Sequence, residues 1–330
     1  MSTSLPDNAP NSPPRSGKNR LLHRLLFQRE LFLVVIIVCF GVFASLLTPY
    51  FLDAYNFKQV LIATVVDGVV AIGMTLVLVS GGLDLSVGSV IGLAGVFIGL
   101  SFSNGFGTPG AMVAAVLCGL AVGATNGTLV AILRINPIIA TLGMMGIARS
   151  ATFILSGGYA LSIPSSFSAL AEMDIWGVPS IVIFTLLLVV AMDILLKRQY
   201  FLVQFFYVGG NEDAAFKSGI PVRGIKFISY VFCAVFSAVA AILLVSRMAS
   251  TFPHSGTGTE IRVISACIIG GCSVSGGKGS VIGSYLGVFL LALISNILVL
   301  LNVSINWQGV VSGIVLILAV LSDVFVNKKR

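Results

Sequence analysis

Val77–Gly92, VLVSGGLDLSVGSVIG, sets a Gly-Gly turn, one acid and the serines Ser86 and Ser89 between two apolar runs. Part of it returns near the C-terminus. Ile268–Gly283 reads IIGGCSVSGGKGSVIG, so Gly81-Gly82 matches Gly270-Gly271, and Gly88–Gly92, GSVIG, recurs letter for letter as Gly279–Gly283. A chain that breaks its apolar spans twice with similar loops reads as a duplicated path through a membrane.

Composition places the chain in the same class. Of 330 residues, 57% are hydrophobic and 9% charged, with a mean hydropathy of +1.06; a soluble protein carries about 25% charged residues. The expected fold is all-α and polytopic, with spans at Leu31–Leu47, Val60–Val79, Leu85–Leu100, Ala111–Leu133, Pro137–Leu155, Val178–Leu196, Phe227–Val245, Val263–Ile269, Val281–Leu301 and Val310–Val326. That is about ten crossings. The third is lean and the eighth short, so eight full helices with two Gly-rich broken segments fit the pattern equally well. With the N-terminus inside, every Lys and Arg falls on an inner segment except Lys58, Arg149, Arg247 and Arg262, as short cytoplasmic loops require. The net charge of +7 is then topology, and nucleic acid is not an expected partner.

Residues 1–30 hold Pro6, Pro10, Pro13 and Pro14 among polar residues and read as a disordered basic cytoplasmic tail. Residues 31–326 form the membrane domain and 327–330 a basic cytoplasmic end. The run Leu31–Leu47 is long for a signal peptide, and its removal would leave an odd number of crossings. The five cysteines lack metal-ligand spacing and read as small apolar fillers; no metal site is expected.

Lys197–Lys226, KRQYFLVQFFYVGGNEDAAFKSGIPVRGIK, is the longest inner connection. Gly209-Gly210 makes a turn, Asn211 an N-cap, Glu212 and Asp213 a first helical turn, and Lys217, Gly219 and Pro221 a close. A short capped helix of this kind is either a docking knob or a loop tied to lipid headgroups.

Four motifs, SGGLDLSVGS at Ser80–Ser89, INPIIATLGMMGIAR at Ile135–Arg149, GGNEDAAFKSGIPV at Gly209–Val222 and IIGGCSVSGGKGSVIGSYLG at Ile268–Gly287, resemble in order and spacing the ribose, xylose, arabinose and galactoside permease subunits of bacterial ABC importers. The resemblance runs from Leu31 to the C-terminus. It implies an inner-membrane permease subunit that carries no ATPase or catalytic residue of its own and binds no cofactor. The implied partners are a second permease subunit, identical or paralogous, a cytoplasmic ABC ATPase that binds the ATP, and a periplasmic sugar-binding protein. On this reading Gly209, Gly210, Asn211, Glu212, Asp213, Lys217 and Gly219 form the ATPase-coupling loop.

Physical reasoning assigns the broken-helix motifs a role beside that resemblance. Gly81, Gly82, Gly88, Gly270, Gly271, Gly276, Gly277 and Gly279 permit turns and close helix approach. Asp84 caps the helix that begins near Leu85, and Ser86 and Ser89 satisfy freed backbone groups. The remaining intramembrane charges, Asp67 and Arg149, fall at matched depth about 10 Å below the outer surface, counting about 1.5 Å per residue, and are expected to pair with one another.

Other classes fit less well. GGCSVSGGKGS fails the phosphate-loop pattern at Cys272 and Gly279. His23 and His254 fall on opposite sides of the expected topology, which disfavours a membrane enzyme. An ion-coupled carrier of a small polar solute suits broken helices as well, but has no need of the Gly209–Val222 loop.

Overall fold

The computed structural model describes residues 29–304 and, beyond them, 307, 309–311, 313, 314, 317 and 321. The first 28 residues of the expected 1–30 tail, most of the tenth span and the basic C-terminus lie outside the described residues, whereas Arg29 and Glu30, expected in the tail, open the first helix.

Twelve α-helices follow one another between residues 29 and 304: α1 (Arg29–Leu47), α2 (Ala54–Val79), α3 (Val87–Ser103), α4 (Gly107–Gly127), α5 (Pro137–Ser156), α6 (Ser165–Glu172), α7 (Ser180–Arg198), α8 (Tyr200–Gly210), α9 (Glu212–Lys217), α10 (Val222–Met248), α11 (Thr259–Ile269) and α12 (Val281–Leu300). Seven of them, α1, α2, α4, α5, α7, α10 and α12, are long and apolar enough to cross a membrane. The chain is an all-α polytopic membrane protein.

The core forms around α2, which is buried without interruption from Gly68 to Val79. Its Gly73 faces the backbone of Cys233, where a Cβ would stand 2.6 Å from the Cys233 Cα, so α2 and α10 cross at near backbone contact. On α4, Gly119, Gly123 and Gly127 repeat every fourth residue against Ala234, Val231 and Phe227 of α10, the small-residue spacing by which helices associate in lipid. In contrast α1 exposes Phe32, Val38, Val42, Phe43 and Leu46; an apolar helix so little buried faces hydrocarbon.

The third and eighth spans are the broken ones. α3 has 17 residues and α11 only 11, about 25 and 16 Å at 1.5 Å per residue, against a hydrocarbon core of about 30 Å. Non-helical backbone adjoins each short helix, Ser80–Ser86 before α3 and the consecutive turns of Phe252–Gly258 before α11.

Both preceding helices stop in one way. Gly81 (φ +79°) donates to Leu78 O and Gly82 to Val77 O; Gly271 (φ +97°) donates to Ile268 O and Cys272 to Cys267 O. This paired closure needs a left-handed residue at one position, so Gly81 corresponds to Gly271 and Gly82 to Cys272. The expected match of Gly81-Gly82 with Gly270-Gly271 is off by one. Nor are the two GSVIG copies equivalent: Gly88 lies in the first turn of α3 after Ser86, whereas Gly279 precedes Ser280, the N-cap of α12. Both loops lie at the same end of the bundle, where Gly277 N donates to Val79 O at 2.9 Å. The repeat is therefore parallel.

Opposite the loops, the two-residue strands β1 (Leu161–Ser162) and β4 (Ser250–Thr251) pair, as do β2 (Asp174–Ile175) and β3 (Val178–Pro179). There Lys58 of α2 hydrogen-bonds Asp174 and holds its carboxyl below the usual carboxylate range.

Candidate functional site

The end of the bundle that carries Arg134, Lys197, Arg198 and Lys226 gathers the glycine loops and the short helix α9. Residues 197–226 are more ordered than a polar connection requires. Tyr200–Gly210 forms α8, which buries Leu202, Gln204, Phe205 and Val208. Gly209 and Gly210 thus end a helix instead of making a turn. Asn211 then caps α9, its Oδ1 accepting from Ala214 N at 2.9 Å, with Glu212 and Asp213 in the first turn and Lys217 in the last. Gly219 (φ +81°) and Pro221 close it, and Lys226 of α10 pairs with Glu212.

Gly209 locks α9 to the glycine loops. A Cβ there would fall 1.8 Å from Val79 O; one at Gly276 would meet Gly209 O at 2.6 Å, and one at Gly277 the Gly210 Cα at 2.7 Å. Three backbones touch at one point: the end of α2, the end of α8 and the loop before α12. Beside it, α9 and the segment after α4 border an open cleft of about 1040 Å³ whose charged lining is Arg134, Glu212, Asp213, Arg223 and Lys226. On α9 itself Phe216 is strongly exposed.

Each glycine loop hands over to a helix whose N-terminus faces a buried aspartate, the favourable sign for that end of a helix. Asp84, fully buried, accepts from Ser86 N at 2.8 Å, Ser86 Oγ at 2.6 Å and Asn126 Nδ2 at 3.4 Å. Asp84 does not cap the helix as expected: α3 begins at Val87 after the N-cap Ser86, which makes no side-chain cap hydrogen bond, and Asp84 instead closes a turn onto Ser86 just before the helix. Nearby, Leu85 N donates to Thr141 Oγ1 and Tyr230 Oη to Leu83 O, satisfying the loop's backbone. Ser89 is buried in α3. For α12 the acid comes from another helix: Asp193 of α7 accepts from Ser280 Oγ, Val281 N and Ile282 N, and pairs with Lys197 at 2.7 Å. Sequence reading passes over Asp193; its signal is an acid four residues before Lys197 inside an apolar span.

The intramembrane charges differ from expectation. Asp67 and Arg149 do not pair. Asp67 forms a two-point bond with Arg262, Nε to Oδ2 at 2.8 Å and Nη2 to Oδ1 at 3.1 Å, while Arg149 donates to the carbonyls of Pro253 (2.7 Å), Ser255 (2.9 Å) and Gly88 (3.2 Å). Irregular backbone at membrane depth must find such partners, and Arg149 supplies them to the turns before α11. The depth shifts too. α2 starts at Ala54, so Asp67 sits at the middle of its 26 residues, and Asp67 and Arg149 each lie about 18 Å from the basic end at 1.5 Å per residue. Glu260 completes the layer: it interacts electrostatically with both Arg149 and Arg262, and its Oε2 lies 2.3 Å from where a Cβ on Gly88 would be.

Comparison with known proteins puts this geometry in context. The model of the family described as "Branched-chain amino acid transport system / permease component" matches residues 56–320. The ribose import permease protein RbsC of Escherichia coli K12 is 34% identical over 313 residues, covering 93% of this chain and 95% of the relative. The autoinducer 2 import system permease protein LsrC of Escherichia coli SMS-3-5 is 32% identical over 296 residues, covering 89% and 86%. No solved structure matches.

Proposed function

Because the chain belongs to this family of transport-system permeases, a transport component and not an enzyme, we propose that it is the membrane-spanning subunit of an ATP-driven importer for a monosaccharide or similar small polyol. A cytoplasmic ABC ATPase docks on α9. A second permease subunit completes the path, and a periplasmic binding protein delivers the sugar. The protein lies in the bacterial inner membrane with both termini in the cytoplasm.

The observation that carries the reading is the contact of Gly209 and Gly210 with Val79, Gly276 and Gly277. A partner that pushes on α9 pushes through this contact on both glycine loops, because packed backbones without intervening side chains leave no room to yield. The cleft bordered by Glu212, Asp213, Arg134, Arg223 and Lys226 offers charges of both signs, the kind of surface that sets partner fit and encounter rate. Relatives named for ribose and autoinducer 2 import, with the sugar-permease motifs, favour a polyhydroxylated cargo over the amino acids of the family's description. The test is purification of the assembled complex from its host. An ATPase and a sugar-binding protein in the complex, with uptake that needs ATP, are the expected result. A chain that purifies alone and transports on an ion gradient contradicts it.

A further inference from the structure

The Asp67–Arg262 pair occupies a position that structure alone does not require. Arg149 already serves the backbone carbonyls around α11, and Thr259 at the start of α11 accepts from Arg262 Nη2 at 2.9 Å. Yet the pair is not closed off: the side chain of Arg262 is 39% exposed and that of Asp67 18%. Ala63, four residues before Asp67, and Thr257 and Ile261, close to Arg262 in sequence, are exposed as well. At mid-membrane an exposed ion pair cannot rest against hydrocarbon, and charged residues there face a bundle interior or a water-filled cavity. The breaks that bring α3 and α11 together at this layer place it where transporters hold their cargo.

We propose that Asp67 and Arg262 wall the solute path at mid-membrane and hydrogen-bond a polyhydroxylated solute as it passes. A sugar hydroxyl donates to the carboxylate and accepts from the guanidinium, so the pair matches hydroxyl chemistry on both counts. Because the two charges also bind each other, they hold the solute weakly, as a conduit must if cargo is to leave. Glu260 adds a negative charge near Arg262 in the same layer. This inference rests on the permease reading above.

Two arms test it in the assembled complex in membrane vesicles. First, Ile261→Cys in a Cys39→Ser background is treated with a cationic, membrane-impermeant methanethiosulfonate, with Val38→Cys on α1 as the lipid-facing control. The expected result is modification at Ile261→Cys and none at Val38→Cys. An inert Ile261→Cys overturns the proposal. Second, uptake of D-ribose, D-xylose and D-galactose is compared in wild type, Arg262→Lys and the swap Asp67→Arg with Arg262→Asp. The swap is expected to restore membrane abundance while uptake falls roughly tenfold or more, the worth of a charged hydrogen bond, with partial recovery in Arg262→Lys. Full uptake in the swap makes the pair a staple only and overturns the proposal. If wild type takes up none of these sugars, the cargo reading fails, and the labelling arm still decides the wall.

Discussion

Gly277 donates its backbone N–H to the carbonyl of Val79 at 2.9 Å, tying the loop before α12 to the end of the helix that leads into the other glycine loop. Gly209 closes over the same carbonyl. Substituting it tests the contact against a neighbour that should tolerate change. Gly209→Ala places a Cβ 1.8 Å from Val79 O, whereas at Gly210 nothing lies within 4 Å. Overpacking typically costs about 1–3 kcal/mol. Thermal unfolding in detergent should show a clear loss for Gly209→Ala and little change for Gly210→Ala; equal midpoints would mean the backbones do not meet.

Asp84→Ala strands the Ser86 N–H and the Ser86 hydroxyl proton in a buried site, while the Asn126 amide keeps its bond to Ser86 Oγ. Hydrogen bonds to a charged group are worth about 1.5–3 kcal/mol, so the variant should lose roughly that much stability. Asp193→Ala should destabilise as well, since it leaves the Val281 and Ile282 N–H groups of α12 unpaired and Lys197 without its closest acid. A wild-type melting profile in both would show that these buried acids do not hold the glycine loops and the start of α12.

A double-mutant cycle distinguishes the observed pairing from the one the sequence implies. Asp67→Asn with Arg262→Gln should show coupling of about 0.5–3 kcal/mol, and Asp67→Asn with Arg149→Gln should be additive within about 0.5 kcal/mol. The reverse ranking would place the Asp67 carboxylate on α5 and not on α11.

The contrast between Arg149 and Arg262 shows where sequence reading stops. Long apolar runs report spans because hydrocarbon tolerates little else, and Gly81 and Gly271 report turns because few other residues accept their φ. The partner of Asp67 is set by where a broken helix re-enters the membrane, which depends on the path of the turns at Phe252–Gly258 and leaves no periodic trace. Likewise α8 is hidden within a connection that basic residues flank at both ends. Its apolar face is visible only once Phe205 and Val208 are seen buried beside α2 and α10. Identical letters also mislead: GSVIG sits at two different helical positions, while the closures that do correspond, at Gly81 and Gly271, differ in their following residue. The short helix α9 was legible, since capping and charge placement are local.

Sidedness follows from the charge distribution. Single cysteines at Lys278 and at Glu172 should label from opposite faces of the membrane, Lys278 from the inside. Labelling of the Lys278 site by an impermeant maleimide outside intact spheroplasts, with the Glu172 site spared, would invert the topology.

The central claim is that α9 is the contact through which an ATPase drives the two glycine loops. It is tested most directly by reversing charge at Glu212 and Asp213 to Lys, then measuring ATPase retention on the purified permease together with ATP-dependent uptake. The account predicts normal abundance and melting of the permease, with reduced ATPase retention and uptake lost in proportion. Full retention with wild-type uptake in the charge-reversed protein would contradict it.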